Sequence, residues 1–400
     1  MRNRQDLRKR QYWRSALKAK LPVGASDSVS RIGEFGLIER ILERFSVTNR
    51  RPVLVGPGDD AAVIACGRGA PLVLTTDMLV EGTHFRLEWS CPEAVGFKAV
   101  TANLSDVAAM GGAPIGIVVS LGVPAAVPTR AVDGLYRGIS AALARFGGEL
   151  LGGDTVRSER ITISVAAMGT LAGDRPLLRS GARKGDFVCV TGSLGRSELG
   201  LLLLKRYVVR RGGSRRSAML AWGARGIRDF RERIPAGIRR DGYACIVKHL
   251  MPSPRMKDAQ LLARQGKNGP SSMIDVSDGL SSDLNQLGRA SGVHIQIYEG
   301  RIPVHPSVVS TARHLGVSAA QVAVSGGEEY ELLFTVPPSR LKSLTHMMSR
   351  DGEARLTVIG EVTEAQGTAG CSAVSRHGAV SIVSHGGRQS TLIHKGFRHF

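Results

Sequence analysis

Six short acidic motifs are spread along the 400 residues of this chain, and several begin with Gly or follow an apolar run. Aspartates at strand ends, with Gly residues that let a phosphate approach the backbone, are what a multi-metal nucleotide site requires. The pattern therefore favours an α/β fold in which distant strand ends supply one site. The motifs are Gly58-Asp59-Asp60, Thr75-Thr76-Asp77, Asn103-Leu104-Ser105-Asp106, Gly152-Gly153-Asp154-Thr155, Asp275-Val276-Ser277-Asp278 and Gly327-Glu328-Glu329-Tyr330.

The two common nucleotide-binding loops do not accompany these motifs. The sequence contains neither Gly-x-x-x-x-Gly-Lys-Ser/Thr nor a Gly-x-Gly-x-x-Gly that follows a strand. A single Asp is usually a helix cap or a turn residue, but six ordered motifs are harder to explain in that way. If the chain binds ATP, we expect it to do so through carboxylates and Mg²⁺.

The net charge of +20 is concentrated in two segments. Residues 1–20 carry eight Lys/Arg and one Asp, and residues 205–240 carry twelve Lys/Arg, one Asp and one Glu. A chain that is basic throughout would indicate nucleic acid as its main partner. A near-neutral body with two basic appendages instead favours an enzyme with solvated tails or loops. A polyanion is thus a possible partner of these segments but is not expected to be the main function.

Length and composition predict a cytoplasmic α/β protein with two domains. The five cysteines are scattered and contain no Cys-x-x-Cys, so neither a disulfide framework nor a zinc site is indicated. Residues 107–129 are free of charge, but Gly and Pro residues interrupt them, which argues against a membrane span.

Short apolar runs predict the strands, and amphipathic or Ala-rich stretches predict the helices. The acidic motifs are expected in turns where strands end. We expect an exposed, mobile loop around Gly212-Gly213-Ser214. Strands are predicted at 53–55, 72–74, 115–123, 161–171, 187–190, 293–297 and 330–336, and helices at 34–45, 93–110, 130–146, 197–204 and 339–348.

The ordered motifs make the sequence from Gly33 to Phe400 resemble the thiamine-monophosphate kinase family, except in the basic stretch after Lys205. The matching motifs are Gly33-Glu34-Phe35, Gly58-Asp59-Asp60-Ala61-Ala62, Thr75-Thr76-Asp77 with Gly82-Thr83-His84-Phe85, Asn103 to Gly111, Gly152-Gly153-Asp154-Thr155, Arg179-Ser180-Gly181-Ala182, His249-Leu250 with Pro252-Ser253-Pro254-Arg255, Asp275 to Leu280, Ser325-Gly326-Gly327-Glu328 and Lys395 to Phe400.

The resemblance implies an α/β fold of the α+β type, with the two domains of the aminoimidazole-ribonucleotide synthetase superfamily. It also implies a homodimer in which the N-terminal domains pair their sheets. We expect a basic, disordered tail at 1–30, an ATP- and Mg²⁺-binding domain at 31–175, and a C-terminal domain at 184–400 with a basic insertion at about 205–240. The implied reaction is phosphorylation of thiamine monophosphate by ATP, the final step of thiamine diphosphate biosynthesis.

The resemblance also assigns roles to individual residues. The expected cofactors are several Mg²⁺ ions, with ATP as co-substrate. Metal-ligand positions are Asp60, Thr75, Thr76, Asp77, Asp106, Asp154, Asp275 and Asp278; ATP-contact positions are Gly153, Asp154, Arg179 and Ser277; thiamine-phosphate positions are His84, Glu328 and Phe397.

The acceptor implied by this resemblance explains why the sequence carries no recognisable general base. The second pKa of a phosphate monoester is about 6, so the nucleophile is mostly ionised at neutral pH. The difficulty is repulsion between two polyanions, which costs roughly 4 kcal/mol per unit pair about 4 Å apart at an effective dielectric of 20. Mg²⁺ needs only one or two carboxylates per ion, which agrees with scattered single Asp residues.

Several alternatives remain open at the level of sequence. Asp275 or Ser277 could simply cap the helix expected from Gly279. Glu329 stands where the family pattern has Asp, and the additional methylene could shift a water-mediated contact. Selenophosphate synthetase and aminoimidazole-ribonucleotide synthetase share the scaffold, although the reactive Cys and Lys of the former are not found in a glycine-rich N-terminal loop. A polyanion-binding protein on an inactive kinase body is a further alternative.

Overall fold

The computed structural model describes residues 29–42, 52–67, 69–208, 214–222, 226–364, 380–384 and 386–392. Helix α1 (Val29–Leu42) belongs to a separate compact unit and is considered by itself. It bends at Gly33, whose φ is 69°. The predicted helix at 34–45 is therefore confirmed as far as Leu42, and its last three residues lie outside the described residues. The predicted tail lies almost entirely outside them as well.

A six-stranded sheet forms the N-terminal half, in the spatial order β1-β2-β3-β6-β4-β5. Neighbouring strands are antiparallel except β4 and β5, which are parallel. Helix α2 packs on one face of this sheet, and α3 packs on α2. The elements are β1 (Val53–Val55), β2 (Ala62–Ile64), β3 (Leu72–Val80), α2 (Pro92–Ala109), β4 (Gly112–Val123), α3 (Thr129–Phe146), β5 (Glu149–Arg157) and β6 (Thr162–Leu171).

The two faces of this sheet differ in burial because side chains alternate along each strand. On β3, Val73 and Leu79 face the helices and are buried, whereas Leu74 is 43% and Met78 52% exposed. Every residue of the edge strand β5 is exposed. Further exposed apolar side chains on this sheet are Ile115, Val118, Leu150, Leu151 and Val156. The sheet therefore presents apolar surface that the described residues leave uncovered.

A seven-stranded sheet forms the C-terminal half, in the order β13-β12-β9-β11-β7-β10-β8, and helix α8 shares its core. The β9–β12 pair is parallel and the other pairs are antiparallel. The elements are β7 (Phe187–Thr191), α4 (Arg196–Leu203), α5 (Arg215–Leu220), α6 (Arg239–Leu250), α7 (Met256–Ala263), β8 (Ser272–Asp275), α8 (Leu280–Ser291), β9 (His294–Tyr298), α9 (Pro306–Leu315), α10 (Ala319–Ser325), β10 (Leu332–Val336), α11 (Pro338–Asp351), β11 (Leu356–Thr363), β12 (Val380–Val383) and β13 (Gln389–Thr391).

Two acidic motifs predicted as turns at strand ends lie inside strands. Thr75-Thr76-Asp77 is in the middle of β3, because β6 pairs with β3 from Leu72 to Val80. Gly152-Gly153-Asp154 lies within β5, an exposed strand that was not predicted because its sequence is not a continuous apolar run. A Cβ on Gly153 would lie 2.1 Å from the Val119 carbonyl oxygen, so close strand packing already requires this glycine.

The described part of the basic insertion packs on the body of the protein instead of being solvated throughout, which corrects that expectation. Arg215 and Arg216 are exposed, but they begin α5. The side chains of Met219, Trp222 and Phe230 are buried against the body of the protein. Residues 209–213, which include most of the predicted loop, lie outside the described residues. Among the described residues, no helix has the length and apolar character needed to cross a bilayer.

Candidate active site

Three of the predicted carboxylates converge between the two sheets. Asp60 follows β1, Asp106 lies on α2, and Asp275 ends β8. One oxygen from each side chain lies within 4.8 Å of the other two. We call these three residues the acidic cluster. Asp60 and Asp275 are buried, so the cluster lies in the interior rather than on a solvated surface.

Hydroxyl groups and one guanidinium hold the acidic cluster in place. Ser105 Oγ donates to Asp275 Oδ2 at 2.5 Å, and Thr75 Oγ1 donates to Asp106 Oδ2 at 2.7 Å. Arg179 Nη2 donates to Asp60 Oδ1 at 2.6 Å. The Ser105–Asp275 hydrogen bond joins the N-terminal helix α2 to the C-terminal sheet. The cluster is therefore assembled by both halves of the chain.

Burial and mutual repulsion raise the pKa values in this region. Burial, with the neighbouring Asp60, raises the pKa of Asp275 to about 7. Burial, followed by the charges of Asp77, Asp275 and Asp60, raises the pKa of Asp106 well above its usual range. Asp60 Oδ2 is buried and has no hydrogen-bond partner among the described residues. Unpaired, mutually repelling carboxylate oxygens are suitable ligands for hard divalent cations. The residues present thus fit Mg²⁺.

Asp77 and Thr76 lie on opposite faces of β3. Thr75 and Asp77 share the face that is turned towards α2, and Asn103 Oδ1 accepts a hydrogen bond from the Asp77 N–H at 2.8 Å. Asp77 contributes to the raised pKa of Asp106, which places its charge near the cluster. The Thr76 hydroxyl donates to the Val165 carbonyl oxygen. By strand alternation the side chain of Thr76 points away from the cluster.

Asp154 and Gly153 are not part of the acidic cluster as the structure describes it. Asp154 is exposed on β5, and its Oδ1 accepts a hydrogen bond from the neighbouring Thr155 N–H at 2.8 Å. The predicted metal and ATP contacts of this motif remain predictions.

Asp278 lies beside the cluster in the bend between β8 and α8. Its Oδ2 accepts a hydrogen bond from Gln286 Nε2 at 3.3 Å, and Gln286 Oε1 accepts one from Arg179 Nη1 at 2.7 Å. Ser277 Oγ donates to Asp275 Oδ1. Helix α8 begins after Gly279 without a side-chain cap at that position. The alternative in which Asp275 or Ser277 is simply the cap is therefore wrong for this structure.

Residues Gly327–Glu331, which we call the glutamate loop, lie next to the β8–α8 bend. The Glu328 N–H donates to the Ser277 carbonyl at 2.6 Å, and the Tyr330 N–H donates to the Val276 carbonyl at 2.8 Å. Glu328 and Tyr330 have φ values of 57° and 51°, an unusual conformation for residues other than Gly. Such strain is found preferentially at functional sites, where the surrounding structure maintains it.

Glu328 is held by two buried residues from other elements. Lys98 Nζ on α2 lies 2.5 Å from Glu328 Oε1, and His249 Nδ1 on α6 lies 3.2 Å from Glu328 Oε2. Burial, together with the charge of Lys98, lowers the pKa of His249 well below its usual range. His249 is therefore neutral at pH 7 and makes no ion pair with Glu328; its Nδ1 also lies 3.2 Å from Ser197 Oγ.

The other two glutamates of this loop are fixed in different ways. Arg255 donates to Glu331 through Nε and Nη2 at 2.5 and 2.6 Å, and Thr191 Oγ1 adds a third hydrogen bond. Despite burial, Arg255 and then Lys248 lower the pKa of Glu331. Glu329 Oε1 instead accepts hydrogen bonds from the backbone N–H groups of Gly195 and Ser197, where α4 begins.

His84 lies in a tight turn after β3. Its Nδ1 accepts a hydrogen bond from the Val80 N–H at 3.0 Å, and the ring is half-buried. Phe397 lies outside the described residues. The predicted thiamine-phosphate contacts of both residues remain predictions.

Two family models and curated proteins of one family match this chain. The AIR synthase related protein N-terminal domain matches residues 58–171, and the C-terminal domain of the same family matches residues 183–370. Thiamine-monophosphate kinase of Mycobacterium tuberculosis (strain ATCC 25618 / H37Rv) is 36% identical over 342 residues, which cover 84% of this chain and 90% of that protein.

The chain belongs to the thiamine-monophosphate kinase family.

A second relative and a solved structure agree. Thiamine-monophosphate kinase of Bacillus subtilis (strain 168) is 33% identical over 304 residues, which cover 76% of this chain and 83% of that protein. A solved structure described as "AaThiL complexed with AMPPCP and TMP" superposes with a TM-score of 0.72 at 30% identity, covering 94% of this chain and 99% of that one. The protein is accordingly a kinase, and the expected two-domain fold of its superfamily is confirmed.

Several residues of this kinase's site were not assigned roles from the sequence. Ser105 and Arg255 lie inside quoted motifs, but their hydrogen bonds to Asp275 and Glu331 depend on tertiary contacts. Lys98 carries no sequence signal beyond being a Lys among apolar helix residues. That position is itself informative, because a Lys is almost never fully buried unless it is paired.

Proposed function

We propose that this kinase transfers the γ-phosphoryl group of ATP to the phosphate of thiamine monophosphate, giving thiamine diphosphate and ADP by direct in-line transfer. The observation that carries the proposal is the convergence of Asp60, Asp106 and Asp275, in which the buried Asp60 Oδ2 has no hydrogen-bond partner among the described residues. This arrangement would bind the metal ions that such a transfer between two anions needs. The relatives named above and the solved structure with AMPPCP and TMP support the choice of substrates.

Mg²⁺ ions would be held by the acidic cluster, with Asp77 and Asp278 at its edge. When bound, Mg²⁺ supplies charge neutralisation and alignment of the phosphate groups. The hydroxyls of Ser105 and Thr75 orient Asp275 and Asp106 before any ion arrives. The chain thus positions the carboxylate oxygens in advance, and the resulting repulsion favours cation binding.

Arg179 is the proposed contact for the triphosphate of ATP, together with Gly153, Asp154 and Ser277. Its guanidinium donates to both Asp60 and Gln286, so it lies at the edge of the acidic cluster. Although burial opposes the charge, Asp60 raises the pKa of Arg179, and the group stays cationic. A fixed cation at this position can receive phosphate oxygens without a change in protonation.

Thiamine monophosphate is proposed to bind near His84, Glu328 and Phe397. The strained backbone of Glu328, and its carboxylate fixed by Lys98, support a role for this residue in recognising the cationic thiamine ring. We assign no general base among the protein side chains, because the acceptor phosphate is largely ionised at neutral pH.

We also propose that the kinase is a homodimer that pairs the N-terminal sheets. The exposed apolar side chains Leu74, Met78 and Val118 on one face of this sheet, and the fully exposed edge strand β5, support this arrangement. Analytical ultracentrifugation at several concentrations tests it, and a monomer throughout would contradict it.

Product analysis with the purified enzyme tests the proposed function. With MgATP, thiamine monophosphate should be converted to thiamine diphosphate, whereas free thiamine should react little. The matched variants are Asp275→Asn, which should be inactive, and Asp174→Asn, which changes an exposed Asp outside the site and should be active. No turnover of thiamine monophosphate, while a substrate of another superfamily member is consumed, would overturn the proposal.

A further inference from the structure

Part of the basic insertion packs on the turn that carries His84. Residues Ser214–Trp222, which we call the anchor segment, contain α5 and lie within the basic insertion. Met219 and Trp222 are buried in the same core as Phe85 and Leu87, which follow the turn. The segment is thus integrated into the N-terminal half, although it comes from the C-terminal half of the sequence.

The first fixed point is an ion pair between Arg215 and Glu81. Arg215 Nε lies 2.5 Å from Glu81 Oε1, and Nη2 lies 2.7 Å from Oε2. Nη2 also donates to the Glu159 carbonyl oxygen at 3.0 Å. The Glu81 carboxylate is buried, and it also accepts a hydrogen bond from the Ile161 N–H at 3.0 Å. Arg215 is therefore the charged partner that balances a buried carboxylate.

The second fixed point is Trp222. Its ring stacks on Phe85 with centroids 6.3 Å apart and an interplanar angle of 13°. Its indole Nε1–H donates to the Ser90 carbonyl oxygen at 2.9 Å. Arg130 Nη2 further donates to the Leu220 carbonyl oxygen at 2.8 Å. The anchor segment consequently contacts the beginning and the end of residues 81–90.

His84 lies between these two fixed points. The Gly82 N–H donates to the Phe85 carbonyl at 2.7 Å, and the His84 N–H donates to the Val80 carbonyl at 3.0 Å, so residues 80–85 form a closed turn. Gly82 has a φ of 90°, which this turn requires and other residues rarely adopt. Glu81 and Phe85 lie near the two ends of this turn, and each contacts the anchor segment.

From this geometry we infer that the anchor segment is a positioning element for the thiamine-phosphate side of the reaction. Arg215 and Trp222 fix the turn that presents His84, and they do so without belonging to the acidic cluster. The inference rests on the proposed function and on the role assigned to His84 there. A basic insertion that contacts this turn would thereby affect binding of the acceptor rather than of ATP.

The test compares Arg215→Ala with Arg215→Lys and with Arg216→Ala, an exposed neighbour on the same helix. We expect Arg215→Ala to raise KM for thiamine monophosphate about 3- to 10-fold while KM for ATP changes less than about 2-fold. Arg215→Lys should be intermediate, because Lys retains the charge without the bidentate geometry. Arg216→Ala should behave like the wild type.

Hydrogen exchange provides a readout that does not depend on turnover. Peptides covering residues 79–90 should exchange faster in Arg215→Ala and in Trp222→Phe, whereas peptides from α2 should be unchanged. An equal rise in both KM values, or faster exchange throughout the protein, would overturn the inference because it indicates general destabilisation. If the wild type is active and Arg215→Ala leaves both KM values unchanged, this inference is wrong but the proposed function is not. If the wild type does not phosphorylate thiamine monophosphate, the proposed function is wrong as well.

Discussion

The acidic cluster and the glutamate loop are neighbouring buried regions rich in carboxylates, but their charges are balanced differently. Glu331 has Arg255 and Lys248 as partners, and Glu328 has Lys98. In the cluster, Arg179 donates to Asp60, whereas Asp106 and Asp275 accept their side-chain hydrogen bonds from the hydroxyl groups of Thr75, Ser105 and Ser277. Glu331 is therefore balanced by cationic side chains of the polypeptide itself, whereas the cluster retains a repulsion that bound cations would offset.

Asp275→Asn should produce the largest effect, because it removes a negative ligand at constant shape. We expect kcat to fall by roughly 10²- to 10⁴-fold, or about 3–5 kcal/mol. Without Mg²⁺ the same variant should melt at a higher temperature than the wild type, since one source of repulsion is gone. Steady-state kinetics and thermal melts with chelator measure both. If Asp275→Asn is nearly fully active at limiting Mg²⁺, the acidic cluster does not differ from the glutamate loop in its need for cations.

Arg255→Ala should show the opposite behaviour in the glutamate loop. It leaves the buried Glu331 carboxylate without its bidentate partner, which typically costs about 3–5 kcal/mol of unfolding free energy. Mg²⁺ should not restore this loss. Urea unfolding measures it, with Arg264→Ala, an exposed residue after α7, as the matched control. Equal stability of the two variants would show that the loop does not depend on its cations.

Stability in the absence of metal should depend on pH through the acidic cluster. The pKa of Asp275 is about 7 in the folded protein, against an ordinary value of 3.8. The folded state therefore binds more protons between these values, and its stability falls as pH rises through that range. Mg²⁺ should raise the melting temperature at pH 8 by several degrees and much less at pH 5.5. A metal effect independent of pH would contradict the assignment.

Glu329→Gln should produce the smallest effect. Glu329 is intermediate in character between the acidic cluster and the other residues of the glutamate loop. Glu329 belongs to the glutamate loop, but burial raises its pKa to about 7, and Oε2 lacks a hydrogen-bond partner among the described residues. The amide keeps the acceptor for Gly195 and Ser197 and removes the buried charge. We expect similar stability at pH 6 and a gain of about 1 kcal/mol at pH 8.5, measured by chemical unfolding. A loss at both values would mean that the charge itself caps α4.

The sequence predicted the residues of the acidic cluster better than it predicted their hydrogen-bond partners and the secondary structure around them. Asp60, Asp106 and Asp275 were proposed together through ordered motifs, and the structure brings them together. Their hydroxyl partners were not foreseen, because Ser105 and Asp275 are far apart in sequence. The turn predicted at Thr75–Asp77 was wrong because local polarity does not reveal a strand that pairs with β6 along its whole length.

The insertion shows a second limit of local reasoning. Its charge density predicted solvation, and Arg215 and Arg216 are indeed exposed, yet Trp222 and Phe230 are buried. A few apolar residues among many Arg residues are enough to attach a segment when a complementary surface exists elsewhere. The sequence around Glu81 gives no indication that this residue belongs to such a surface. Its partner, Arg215, lies more than a hundred residues away in the chain.

The position of Asp275 has a consequence for the order in which the protein is synthesised. Strand β8 lies at one edge of its sheet, where it pairs with β10 (Leu332–Val336). All six strands of the N-terminal sheet emerge from the ribosome before β8, so this half can fold first. The third carboxylate cannot be fixed until β10 has also emerged. A nascent chain therefore carries an incomplete acidic cluster through most of translation, and the cluster can form only near the end.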